Sequence, residues 1–221
     1  MTQKVSEHLA PPPDPSGFPH LTLVIGGARS GKSRHAEDLA RLADRPKTYI
    51  ATAQAWDAEM RARIDSHRDD RGPDWHTIEA PMDLPAALAA APPGVILIDC
   101  ATLWLTNVIL AQEGEGAQAS DAVAPMAAAH SDTVPNTTPK NGTLATQTAA
   151  LLRALAHSPN PVIIVTNELG LCIVPENALA RRFRDAQGRL NQALAAQADL
   201  VVLVVAGLPL TLKGRPPTSI A

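Results

Sequence analysis

"LTLVIGGARSGKSRHAEDLARLA", residues 21–43, passes from an apolar, β-branched run through a glycine-rich turn into residues with helical spacing. Its centre, Gly26-x-x-x-x-Gly31-Lys32-Ser33, matches a phosphate-binding loop in the strand–loop–helix setting such loops require. Glycine lets the backbone curl so that successive N–H groups, here from Gly26, Gly27, Ala28, Arg29, Ser30 and Gly31, converge on one anion. The following helix adds the positive end of its dipole. Lys32 is placed to reach the β- and γ-phosphates, and the Ser33 hydroxyl to ligate Mg²⁺. An accidental glycine-rich turn would not need a strand before it and a helix after it.

Outward from this loop, short apolar runs alternate with helical patterns. Leu21–Ile25, Thr48–Thr52, Val95–Asp99, Val162–Thr166 and Leu200–Val205 read as strands buried on both faces, the kind found in parallel sheets. Helices are expected over Ser33–Ala43, Asp57–Asp70, Leu84–Ala90, Leu103–Ala111, Leu144–Ala156 and Ala178–Ala198, with an edge strand in "WHTIEA" and a closing strand near Leu210–Lys213. In the last helix Leu179, Phe183, Ala186, Leu190 and Leu194 form one stripe, with Arg181, Arg184 and Gln192 facing elsewhere. Gly188 in its middle costs about 1 kcal/mol relative to Ala, which calls for a packing or ligand reason. The pattern predicts an α/β, three-layer P-loop NTPase domain with a mainly parallel central sheet. Asp99 ends its strand where open α/β sheets bind ligands, a position suited to supporting Mg²⁺; capping the next helix is the alternative, and both could coexist.

At 221 residues and a formal charge of −3, the chain is expected to be one domain with no basic field for nucleic acid or an anionic membrane. Aromatic residues make up 3% of it, too few for stacking platforms, and no apolar run reaches the roughly 18–20 residues that span a bilayer. There is no signal-like core near the N-terminus, and Cys100 and Cys172 form no CxxC pair, so the expected compartment is the cytoplasm. Residues 1–20 read as a disordered tail, 112–141 as a low-complexity surface insertion within a 21–214 domain, and 215–221 as a C-terminal tail.

"DAEMRARIDSHRDDRG", residues 57–72, sets Glu59, Arg63 and His67 along one side of a helix, with Arg68 and Arg71 beside the histidine. A neutral imidazole nitrogen can attack phosphorus, and neighbouring guanidiniums oppose its protonation and bind developing charge. Spacing alone favours a solvent-facing helix of mixed charge with an incidental histidine. His35, two residues past Ser33, could approach substrate or face solvent.

Taken in order, "GGARSGKSRHAE", "YIATAQAWDAEMRARIDSHRDDRGPDWHTIEAP", "LIDCATLWLTN" and "VTNELGLCIVPENALARRFRDAQGRLNQ" resemble the bifunctional adenosylcobinamide kinase/adenosylcobinamide-phosphate guanylyltransferases of cobalamin biosynthesis. The resemblance covers Leu21 to Gly214 apart from the 112–141 stretch; Cys172 stands where the family usually has glycine. It implies ATP- or GTP-dependent phosphorylation of adenosylcobinamide. It further implies GMP transfer from GTP through a guanylyl-histidine to adenosylcobinamide phosphate. The histidine corresponds to His67, which reverses the reading from spacing. The implied nucleotide contacts fall on Gly26–Ser33, Ala51, Thr52, Ala53, Arg68, Asp69, Asp70, Arg71, Glu79 and Asp99, with Lys32 catalytic and a homotrimer whose sites lie near subunit boundaries. Two other readings stay open: a P-loop small-molecule kinase without a covalent adduct, and a nucleotide-gated binding module.

Overall fold

A computed structural model describes residues 17–54, 74–117 and 143–217, with side-chain burial described up to 112 in the second segment. The elements are β1 (Leu21–Gly26), α1 (Lys32–Leu42), β2 (Lys47–Ala51), β3 (Trp75–Glu79), α2 (Leu84–Ala90) and β4 (Val95–Asp99). They continue with α3 (Ala101–Ala117), α4 (Leu144–Ala156), β5 (Val162–Asn167), α5 (Ala178–Gln197), β6 (Leu200–Val205) and β7 (Leu208–Lys213). The strands form one seven-stranded sheet in the order β3-β2-β4-β5-β1-β6-β7, parallel except for the β6–β7 hairpin.

Strand residues alternate between two apolar layers, which explains why the runs lack polar interruptions. Leu21, Leu23, Ile25, Ile96, Ile98, Val162 and Ile164 pack with α2 to α5. Val24, Tyr49, Val95, Leu97, Ile163 and Val165 face the other way, toward Ala36, Leu39 and Ala40 of α1. The sheet therefore has helices on both faces, as the sequence predicts.

Several expectations shift. Phe18, inside the expected tail, is buried in the α1 layer, and His20 accepts the Val162 amide on its carbonyl at 2.8 Å. A single aromatic among prolines carries no periodicity, so its anchoring was invisible locally. The helix expected at Leu103–Ala111 starts at Ala101, directly after β4, and runs through Ala117, into the stretch expected to open the insertion. Its last turns contain Gly114 and Gly116, residues that argue against a helix by propensity. β1 and β5 each extend one residue past their apolar runs, to Gly26 and Asn167, because parallel pairing continues there. A Cβ on Gly188 would meet nothing within 4 Å, so packing does not explain that glycine. The expected helix over Asp57–Asp70 and most of the 112–141 stretch lie outside the described residues.

The two cysteines are both unpaired, and their surroundings differ. Burial, reinforced by the adjacent Asp99 charge, pushes the Cys100 thiol up to about 12, whereas Cys172 is exposed. A chromogenic disulfide at pH 8 is therefore expected to titrate one thiol per native chain rapidly. Cys172→Ser should remove that phase, and Cys100 should react only after denaturation; two fast thiols in the native chain would contradict this burial.

Candidate active site

The phosphate loop is shaped by close contacts at its two ends. A Cβ on Gly26 would lie 2.5 Å from the Val204 carbonyl oxygen and 2.6 Å from Ser30 Oγ, so no other residue fits there without movement. The chain then turns with positive φ at Arg29 (55°) and Gly31 (93°). The β6–β7 turn supports it from below, where the Gly207 amide donates to the Ser30 carbonyl at 2.8 Å. Gly31 precedes α1 without a side-chain cap, and no acidic residue occupies the first turn, leaving the early amides for an anion. Lys32 Nζ curls back to donate to the Gly27 carbonyl at 3.1 Å. Ser30 Oγ is buried with no hydrogen-bond partner among the described residues.

Of the other positions drawn from the sequence, Ala51, Glu79 and Asp99 fall at one sheet edge. Ala51 is in register with Glu79 on one side and Asp99 on the other, so the three form a row across β3, β2 and β4. Glu79 is exposed and Asp99 partly so. By strand alternation Asp99 shares the face of Leu97, the face that α1 covers. Tyr49 donates its hydroxyl to Asp99 Oδ2 at 3.2 Å and orients the carboxylate. Thr52 behaves differently from a ligand contact. It is fully buried, and its hydroxyl clamps β2 to β4 by meeting both the amide and the carbonyl of Cys100 at 2.8 Å. Asn107 holds the Thr52 carbonyl at 2.9 Å, and Ala53 follows, half-buried.

His67, Arg68, Asp69, Asp70 and Arg71 lie outside the described residues. His35 is half-buried on α1, and burial lowers its pKa against the opposing charge of Asp38. On α5, Arg181 donates to the carbonyls of Pro175 and Glu176 and so closes the preceding loop, while Arg184 reaches Asp185 at 3.4 Å. A separate apolar cavity of about 260 Å³ between α3 and α5, lined by residues such as Ile109, Leu179 and Phe183, shares no wall with the phosphate loop.

Behind the edge runs a polar cluster absent from the sequence expectations. Thr166 donates to Asn191 Oδ1 at 2.8 Å, Gln187 donates to both Thr166 Oγ1 and Asn191 Oδ1, and Asn191 donates to the Asn167 carbonyl at 2.9 Å. The Thr102 hydroxyl receives the Asn167 amide at 2.8 Å. A signal existed: Gln187 and Asn191 sit four apart on the inward stripe of α5, where a polar pair needs a partner.

The loop geometry generates a direct test. Gly26→Ala is expected to lower nucleoside triphosphate affinity at least about tenfold, because the new methyl must displace Val204 or Ser30 beneath the phosphates. Titration calorimetry checks this, with circular dichroism showing retained secondary structure; unchanged affinity would refute the steric argument.

A family model described as cobinamide kinase / cobinamide phosphate guanyltransferase matches residues 22–212. Two relatives are each called a bifunctional adenosylcobalamin biosynthesis protein. CobU of Salmonella typhimurium is 44% identical over 87% of this chain and 99% of its own. CobP of Pseudomonas aeruginosa is 41% identical over 88% of this chain and 98% of its own. Among solved structures, an ATPase from the type III secretion system of pathogenic bacteria aligns with a TM-score of 0.51 at 11% identity. That alignment covers 89% of this chain and 59% of the ATPase, and it supports the fold alone. With its phosphate loop in place and this match along most of its length, the chain belongs to the cobinamide kinase / cobinamide phosphate guanyltransferase family.

Proposed function

We propose that this chain phosphorylates adenosylcobinamide with ATP or GTP and then transfers GMP from GTP to the product, giving adenosylcobinamide-GDP and pyrophosphate. The observation that carries the reading is the convergence of Gly26–Ser33 with Ala51, Glu79 and Asp99 on one sheet edge, in a chain of this family. In the first reaction an alcohol oxygen bonds to the γ-phosphorus as the bond to the β-phosphate bridging oxygen breaks. In the second, a nitrogen of His67 bonds to the α-phosphorus and pyrophosphate leaves; a phosphate oxygen of the corrinoid then displaces the histidine. Arg68 and Arg71, next to His67 in sequence, would keep the ring neutral and bind the departing oxygens, with Asp69 and Asp70 in the same nucleotide-binding segment.

Lys32 contributes the same thing to both reactions, a positive charge at the triphosphate. Glu79, exposed at the end of its strand, would accept hydrogen bonds from guanine or ribose. Ser33 and Asp99 would hold Mg²⁺, since hydroxyl and carboxylate oxygens are hard donors and this ion takes few protein ligands beside phosphates and water. When bound, it neutralises charge on the phosphate oxygens. The tie from Tyr49 to Asp99 Oδ2 fits that role by fixing the carboxylate.

The reading includes a homotrimer in the cytoplasm. No helix among the described residues is long and apolar enough to cross a membrane. Self-association draws support from β7, an edge strand on which Leu208, Leu210 and Leu212 are all exposed. Leu210→Glu is expected to shift sedimentation from trimer toward monomer; an unaltered trimer would remove β7 from the interface.

GTP radiolabelled at the α-phosphorus tests the chemistry. Wild-type protein is expected to retain acid-labile, base-stable label after denaturation, and His67→Ala to retain none. Lys32→Ala should slow both adduct formation and corrinoid phosphorylation by about two orders of magnitude. No label under conditions where GTP binds would leave only the kinase, and near wild-type rates in Lys32→Ala would overturn the role of the loop.

A further inference from the structure

β5 lies between β1, which ends in the phosphate loop, and β4, which ends in Asp99. Whatever stands at the tip of β5 stands between the two halves of the site. That residue is Asn167, in register with Gly26 and two residues beyond Val165, the partner of Asp99. Strand alternation places Asn167 on the same face as Ile163 and Val165, the face packed by α1, whose first residues are Lys32 and Ser33. Thr166 faces the opposite way, into the cluster with Gln187 and Asn191.

The main chain of Asn167 is held from both sides. Thr102 Oγ1 receives its amide at 2.8 Å and Asn191 Nδ2 donates to its carbonyl at 2.9 Å. The side chain is another matter: Asn167 Oδ1 is buried with no hydrogen-bond partner among the described residues. A buried amide oxygen without a donor is a cost that folded proteins rarely accept without function. Phosphate oxygens cannot satisfy it, because at neutral pH they carry almost no protons to donate. An alcohol can.

We propose that Asn167 Oδ1 accepts the O–H of the alcohol that takes the γ-phosphoryl group and aims its oxygen at phosphorus, with Thr102 and Asn191 as positioning residues behind it. This rests on the kinase half of the function proposed above. The bond formed joins the alcohol oxygen to the γ-phosphorus, and the bond broken joins that phosphorus to the β-phosphate bridging oxygen. An amide takes no proton, so the hydroxyl proton passes late to an oxygen of the transferred group and then to solvent. The guanylyl transfer to histidine involves no alcohol, so Asn167 should matter to one reaction and not to the other.

Asn167→Ala and Asn167→Asp in the full chain test this, because Thr102 and Asn191 hold the backbone and survive either change. With adenosylcobinamide and saturating ATP, Asn167→Ala is expected to lose about ten- to a hundredfold in phosphorylation turnover. Formation of the guanylyl adduct from GTP should stay within threefold of wild type, and the melting profile should stay cooperative. Asn167→Asp, which keeps an acceptor oxygen, should exceed Asn167→Ala in turnover. Phosphorylation by Asn167→Ala within twofold of wild type overturns the proposal, as does Asn167→Asp falling to or below Asn167→Ala. Parallel loss of phosphorylation and adduct formation also overturns it, since that would mark a contact with the triphosphate or its metal. Wild-type protein that binds ATP yet never phosphorylates the corrinoid defeats the functional reading, and this inference with it.

Discussion

Parallel pairing of β1 with β6 sets the Val204 carbonyl against Gly26, and the phosphate loop depends on that contact. The approach leaves no room for a side chain, so the chain must leave the sheet as bare backbone. Ser30 and Gly207 then fasten the loop from the β6–β7 turn. A slip of one residue in this register would turn every β1 side chain to the other layer and move the loop off its support. The same parallel arrangement brings Ala51, Glu79 and Asp99 to the edge where the loop opens.

The site has a rigid floor made largely of interactions that never touch a ligand. Thr52 joins β2 to the chain just after Asp99, Asn107 joins Thr52 to the segment after β3, and Thr102 with Asn191 fixes the tip of β5. Each is a buried polar side chain bonded to backbone groups, which is how the main chain at a polar edge can sit on an apolar core and still be paired. These residues explain why the strand ends hold still; the chemistry belongs to groups that project past them.

Most of the architecture was legible, for physical reasons. Strands buried on both faces must be apolar throughout, so "VILID" and "VIIVT" announced themselves, and Gly26 to Ser33 carries a mechanism in its spacing. Strand order was not legible, because runs that are apolar on both faces do not say which neighbour they pair with. The insertion of β5 between β1 and β4 came only with the structure, and the position of Asn167 came with it. Thr52 was drawn in by family likeness, yet its burial gives its side chain a structural task. Phe18 was missed because a single aromatic among prolines carries no period, and the polar pair Gln187 and Asn191 because their partners lie some twenty residues away, beyond any local pattern.

The central claim is that a nucleoside triphosphate occupies the edge formed by the ends of β1, β2 and β4. Hydrogen–deuterium exchange with and without GTP and Mg²⁺ reads this most directly. Backbone amides of Gly26–Ser33 and of residues 51–53 are expected to gain protection on nucleotide addition, while those of α4 stay unchanged. Protection confined to other parts of the chain, with the phosphate loop exchanging as fast as before, would contradict the account.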